Sequence, residues 1–242
     1  MMQRASLQTQ RGTDVFITGT DTGIGKTYVS VTLLQALQAQ GHTAIGMKPV
    51  ASGCTVTANG LRNEDALALQ RACKLRPEYA EINPIALLAP VSPHLAAALQ
   101  ATSIELPPIH QAFAALQAQA RHVIVEGVGG WLAPLGENLS VADLVRSMDL
   151  PVILVVGLRL GCLNHALLSA RAILADGCPL LGWIGNAVDP SMRAREANLD
   201  TLRHLLPAPC LGVLEHQSDP SRQIGALDAA VLSIHPASLH CR

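Results

Sequence analysis

The sequence predicts an α/β fold, a doubly wound and mainly parallel sheet with helices on both faces. Three observations carry it. Short apolar runs of strand length recur along the chain and end on glycine or a polar residue, as in RHVIVEGVGG, PVILVVGL, LLGWIGNAV and PCLGVL. Helical patterns separate these runs, and strands that alternate with helices form a parallel sheet covered on both faces, with right-handed crossovers. A glycine-rich turn, GTDTGIGKT, joins the first strand to the first helix.

Val15, Phe16 and Ile17 are bulky, two of them β-branched, and suit a buried strand. Val29, Val31, Leu33, Leu34 and Leu37 give the following helix an apolar face, and Gly41 stops it. A second strand is expected over 43–47, then a loop carrying Lys48 and Ser52. Residues 64–74 read as a helix with Asn63 as its N-cap. Two further helices are expected over 94–100 and 109–120, the latter entered through Pro107 and Pro108. Residues 1–13 lack the apolar stretch of a secretory signal and read as an arm. A single domain over 14–234 and a tail over 235–242 complete the expected organisation.

Apolar residues make up 49% of the chain and charged ones 14%, so the core is large and a subunit interface is plausible. Aromatics are only 2%, which makes that core aliphatic. A net charge of −1, with Lys and Arg dispersed, gives no footprint for nucleic acid. The longest apolar run, nine residues over 150–158, is too short to cross a bilayer. The six cysteines show neither a CxxC pair nor a regular spacing, which fits reduced thiols in a cytoplasm, and the missing nucleic-acid footprint points to a small-molecule partner.

In such sheets ligands bind beyond the carboxyl ends of the strands, so strand-end residues are the ones to read for chemistry. The GTDTGIGKT turn exposes backbone N–H groups at a helix N-terminus, where the peptide dipoles favour an anion. Lys26 adds a full charge and Thr27 a hydroxyl suited to magnesium, as in a GxxxxGK[ST] phosphate loop. The spacing is unusual. Five residues separate Gly19 from Gly25, and Thr20 stands where the first glycine is expected.

Thr27, Asp65 and Glu126 form an oxygen trio for a hard cation, and Glu126 follows a strand and precedes GVGG. Taken singly, Asp65 reads rather as a helix-start residue that complements the dipole. Lys48 ends the second strand as Lys26 follows the first, so both can serve a triphosphate; a solvated lysine beside a proline is the plainer reading. Gly161, Cys162, Asn164 and His165 open a further helix whose N-terminus could hold a carboxylate. The Cys162 thiol reads as packing rather than as a nucleophile. Asn186 ends a strand and is either a purine contact or a turn residue.

The motifs GTDTGIGKT, KPVASG, LRNEDALALQ, SPH, VEGVGGWLAPL, PVILVVGLRLGCLNHALL and GWIGNAV occur in this order over 15–213. Together they resemble the dethiobiotin synthetases, ATP-dependent ligases that close the cyclic urea of biotin's precursor. The resemblance implies a P-loop NTPase-like single domain, a homodimer and a site shared between subunits. It implies that Gly23, Ile24, Gly25, Lys26, Thr27 and Tyr28 form the ATP loop, flanked by Gly127 and Gly129, with Asn186 on adenine. Thr27, Asp65 and Glu126 would hold Mg²⁺. Lys26, Lys48, Thr22 and Ser52 would be catalytic, with the last three against the reacting end of 7,8-diaminopelargonate. Gly161, Cys162 and Asn164 of the partner subunit would receive that substrate's carboxylate.

The implied reaction joins CO₂ to one amine as a carbamate. ATP phosphorylates it to a carbamic-phosphoric anhydride, and the second amine closes the ring, releasing phosphate. Two departures stand out: Gly23 where family members often have Glu, and 214–217 where a Pro-Trp-Leu-like stretch is usual. A cobyrinate-type amide ligase would be expected to carry a glutaminase domain as well. The competing class is a partitioning or division-site regulatory ATPase, which has a lysine at the position of Asp21.

Overall fold

The computed structural model describes residues 12–216 and 218–228, so the expected tail, most of the arm and Gln217 lie outside the described residues. The chain begins with β1 (Val15–Gly19), α1 (Lys26–Ala39), β2 (Ala44–Met47), α2 (Glu64–Ala72), α3 (Tyr79–Ile82), α4 (Pro93–Leu99) and α5 (Leu106–Gln119). It continues with β3 (His122–Glu126), α6 (Val141–Met148), β4 (Val152–Gly157), α7 (Cys162–Ala175), β5 (Leu180–Asn186), α8 (Arg195–Leu205) and β6 (Cys210–Leu214). Small strand pairs decorate this frame, among them an antiparallel hairpin of Thr55–Thr57 with Gly60–Arg62. Among the described residues, no helix is long and apolar enough to cross a membrane.

These six strands pair in the order β6-β5-β4-β1-β3-β2, every pair parallel. From β1 the chain runs out to β2, returns to β3 and then crosses to β4 on the other side. The direction of winding therefore reverses at β1, and a crevice opens beyond its carboxyl end.

Alternate residues of each strand feed opposite cores. Val15, Ile17, Ile124 and Ile153 pack under α1 with Val29, Leu33, Leu34 and Leu37. Phe16, Val123, Val125 and Leu154 face the other way, against residues of α5, α6 and α7 such as Leu116, Val145 and Ile173. Helices thus cover both faces, as the sequence predicts. The helix expected over 64–74 ends at Ala72 because Cys73 is extended, with φ −74° and ψ 128°. The one expected over 109–120 starts earlier, at Leu106, with prolines in the first turn where their missing N–H is harmless. The short α3 was not among the expected elements; α6 lies where a helical stretch is expected between two apolar runs and opens with a capping box in which Ser140 and Asp143 bond each other's backbone.

One close approach sets the distance between β2 and α2. A Cβ on Gly46 would lie 2.9 Å from Cβ of Leu69 and 3.0 Å from Cδ1 of Leu34. Only glycine lets both helices sit down on β2, and α2 carries Asp65 toward the strand end. Gly46→Ala is therefore expected to lose about 1–3 kcal/mol of stability through overpacking, read as a lowered urea midpoint at unchanged slope.

Candidate active site

The turn after β1 is built by two glycines with positive φ, Gly23 at 74° and Gly25 at 83°. Nothing lies within 4 Å of a Cβ placed on Gly23, so backbone conformation rather than space favours glycine there. Gly19 is required differently: a Cβ there would come within 2.7 Å of Cδ1 of Ile24, which is buried under the turn. The Thr20 backbone N–H bonds Val155 O at 3.0 Å, so the extra residue of the turn ties β1 to β4. No side chain caps α1, whereas Asn63 caps α2. The free N–H groups of α1 face the turn and suit an anion.

Lys26 starts α1 and is buried, its Nζ donating to Asp21 O at 2.9 Å. Burial, with the nearby Lys48 ammonium adding to it, lowers its pKa from 10.5 to about 8. Lys48 follows β2, and its backbone is clamped: its N–H bonds Ile82 O at 2.7 Å, and Asn83 Nδ2 donates to its carbonyl at 2.8 Å. Register pairs Met47 with Val125 on β3, so Lys48 and Glu126 leave adjacent strands side by side. Lys48 Nζ donates to Glu126 Oε1 at 2.6 Å, Asp65 Oδ2 at 3.1 Å and Gly127 O at 3.2 Å. Burial alone would lower the Lys48 pKa, but the two carboxylates outweigh it and raise it, keeping the ammonium charged. For Asp65, burial opposes ionisation and the Lys48 charge overcomes it, leaving its carboxyl below the usual range.

The Lys48 side chain is 4% exposed and that of Glu126 0%. Thr27 Oγ1 also donates to Glu126 Oε1, at 2.7 Å, while Glu126 Oε2 is buried and has no hydrogen-bond partner. Asp65, reached from the first turn of α2, completes three oxygen donors around one spot. An orphaned buried carboxylate oxygen calls for a cation, and hydroxyl plus carboxylate is the donor set of Mg²⁺. The trio expected from sequence is thus brought together.

A cavity of about 350 Å³ lies here, walled by Thr22, Gly23, Gly25, Lys26, Thr27, Lys48, Ser52, Asp65, Glu126 and Gly129. A second cavity of about 470 Å³ adjoins it, sharing Thr22 and Ser52 and extending past Pro90, Val91, Ser92 and Pro93. The two hydroxyls stand at the junction of a charged chamber and a largely apolar one.

Other expected residues lie elsewhere. Ile24 is buried beneath the turn, and Gly127 supplies its carbonyl to Lys48. Tyr28 bonds Ser218 Oγ at 2.6 Å. Asn186 is buried, and its amide donates to Ile24 O at 2.8 Å, bracing the loop from behind. Just after β6, His216 Nδ1 lies 2.9 Å from Ala187 O and Glu215 forms a bidentate pair with Arg195. Gly161 and Asn164 are exposed at the start of α7, outside both cavities. Cys162 is buried, in keeping with the packing reading of its thiol. Arg159, just before that helix, pairs with Asp21 of the loop at 2.5 Å.

Sequence reasoning missed Asn83 and Tyr79. Tyr79 accepts from the Asn63 N–H at 2.8 Å and donates to Asn83 at 3.1 Å, linking the cap of α2 to the backbone of Lys48. An Asn-Pro pair in a loop carries no signal of such a role.

The chain resembles known proteins along most of its length. Residues 13–223 match a family described as an AAA domain. A protein named ATP-dependent dethiobiotin synthetase BioD from Xanthomonas oryzae pv. oryzae (strain PXO99A) is 59% identical over 204 residues, 84% of this chain and 91% of that protein. Proteins of the same name are 56% identical in Xanthomonas campestris pv. campestris (strain ATCC 33913), over 88% of this chain and 94% of that one, and in Xylella fastidiosa (strain 9a5c), over 83% and 89%. Among solved structures, the MinD cell division protein of Aquifex aeolicus superposes with a TM-score of 0.53 at 14% identity, covering 93% of this chain and 92% of that one. A ParA family ATPase from Chlorobium tepidum TLS gives 0.53 at 12%, covering 90% and 91%. At such identity these two likenesses carry the fold alone.

The Lys26 environment has a measurable consequence. With a folded pKa near 8 against 10.5, the unfolded chain binds the extra proton between those values, so stability rises with pH across that window. A phosphate bound in the loop favours the charged form and raises the pKa again. ADP binding at pH 8.5 is therefore expected to take up a fraction of a proton, seen as calorimetric heats that change with the buffer's ionisation enthalpy. Buffer-independent heats at that pH would exclude a neutralised Lys26.

Proposed function

The chain belongs to the ATP-dependent dethiobiotin synthetase family, and from that premise we propose that the chamber around Lys26, Lys48 and Glu126 is where its chemistry takes place. The protein is an ATP-dependent cyclo-ligase that forms dethiobiotin in biotin biosynthesis. The observation that carries the site reading is the convergence, beyond the ends of β1, β2 and β3, of two buried lysines and a carboxylate with an unpartnered oxygen. The glycine turn and the uncapped α1 receive the phosphates of ATP, with Lys26 against them. The adjoining cavity takes the chain of 7,8-diaminopelargonate, its amines at the junction beside Thr22 and Ser52.

One amine nitrogen bonds the carbon of CO₂ and loses a proton, giving a carbamate. A carbamate oxygen attacks the γ-phosphorus, the bond to the bridging oxygen breaks, and ADP leaves. The second amine then attacks the carbonyl carbon and expels inorganic phosphate, closing the urea ring with loss of its proton. Phosphorylation is needed because the alternative leaving group would be an oxide. Phosphoryl transfer asks for positioning and charge stabilisation rather than a protein nucleophile.

Lys48, held charged by its carboxylate neighbours, serves as an electrostatic donor and not as a base. Asn83 and Ile82 fix its backbone so that only the side chain can reorient. Thr27, Asp65 and Glu126 would hold Mg²⁺, which when bound supplies positive charge to the phosphates. The reading extends to a cytoplasmic homodimer in which Gly161, Cys162 and Asn164 of one subunit receive the substrate carboxylate of the other. Leu160, 94% exposed beside Gly161, supports a covering partner there.

Two measurements test this reading. Purified protein with Mg²⁺, ATP and bicarbonate is expected to release ADP only when diaminopelargonate is added; release independent of the diamine would favour a regulatory ATPase. Lys48→Ala is expected to lower kcat roughly 10²–10³-fold, the scale for losing one preorganised donor, while nucleotide still binds. Near-normal turnover would remove Lys48 from the mechanism.

A further inference from the structure

Lys48 has no donor to spare. An ammonium carries three N–H bonds, and those of Lys48 go to Asp65, Glu126 and the Gly127 carbonyl. A lysine so engaged gives nothing to a phosphoryl or carbamate oxygen until one of these bonds is released. Glu126 is crowded in the same way: its Oε1 accepts from both Lys48 and Thr27. Two of the three partners of Lys48 are therefore groups assigned to Mg²⁺, and Thr27 is the third such group.

Two cations cannot share this small buried space cheaply. Two buried ammonium groups, Lys26 and Lys48, already line this one chamber and repel each other there. A divalent ion on Asp65 and Glu126 would take oxygens that Lys48 Nζ now bonds at 3.1 and 2.6 Å and would carry twice the charge of an ammonium. The ammonium would at the same moment lose the compensation that keeps it buried.

We propose that the Lys48 ammonium and the divalent ion are alternative occupants of the Asp65 and Glu126 oxygens, so that metal binding releases Lys48 toward the reacting groups. Before the metal arrives, Lys48 holds the two carboxylates together against their mutual repulsion. Afterwards its free N–H bonds are available to the γ-phosphoryl and carbamate oxygens. The charged lysine is thereby withheld from the phosphate site until the ion is in place. The proposal rests on the assignment of Thr27, Asp65 and Glu126 as the metal's ligands.

The test uses the full chain without nucleotide and Mn²⁺ as the probe, free ion being read by electron paramagnetic resonance and Mg²⁺ added as competitor. Lys48→Met is expected to bind Mn²⁺ roughly 10-fold tighter than wild type, within the usual range of coupling between two ligands. Glu126→Gln is expected to lose binding. If Glu126→Gln loses binding but Lys48→Met binds no tighter, the exchange is wrong and the metal site stands. If neither Glu126→Gln nor Asp65→Asn changes Mn²⁺ binding, the metal assignment itself fails. Should Lys48→Met not fold, the wild-type chain decides. Reductive methylation of Lys48, followed by mass spectrometry, is expected to speed up several-fold on adding Mg²⁺, and an unchanged or slower rate would overturn the exchange.

Discussion

The buried pair of Lys48 and Glu126 is the interaction around which the site is organised. Neither charge could stay in this interior alone, because an unpaired buried ion is strongly destabilising. The pair exists because β2 and β3 are parallel neighbours in a register, Met47 opposite Val125, that brings Lys48, just past the end of β2, level with Glu126. Everything else in the chamber is placed relative to it: Thr27 from α1 reaches Glu126, Asp65 from α2 reaches Lys48, and Lys26 feels the charge of both lysine and carboxylates.

That placement depends on close backbone approaches more than on large side chains. Gly46 lets α1 and α2 settle onto β2, and Gly19 lets Ile24 fold under the phosphate turn. Asn186 then braces the turn through the Ile24 carbonyl. A Cβ on Gly25 would fall 2.1 Å from the Asn186 amide, so the glycine that opens α1 also makes room for its own brace. A relay from Asn63 through Tyr79 and Asn83 holds the Lys48 backbone, fixing the wall from which its ammonium projects. Rigid, preorganised surroundings are what a transfer reaction controlled by electrostatics requires.

Much of this was legible beforehand. Alternating apolar strands and helices announced a doubly wound sheet, and the GKT turn announced phosphate. Glu126 stands out because a carboxylate that follows VIV and precedes GVGG sits where the strand stops, the place at which such sheets bind ligands. Asp65 was less clear, since a first-turn acid taken singly reads rather as a helix-start residue; here it serves both ends, lying in the first turn of α2 and bonded to Lys48. Asn186 could be read as a purine contact or a turn residue, and its observed bond is instead to the loop. Asn83 and Tyr79 could not be found at all, because their role lies in bonds between segments whose adjacency no local pattern encodes.

By itself, the order of residues determined the period of each strand, the helix signals and the chemical types placed at strand ends, because these depend on neighbours a few positions apart. Tertiary structure alone decided which strand ends meet. Lys48 and Glu126 are 78 positions apart, and Thr27 and Glu126 99. Only the crossover from β2 back to β3 beside β1, with glycines thin enough to let the helices close in, turns separate acids, lysines and a hydroxyl into one electrostatic chamber.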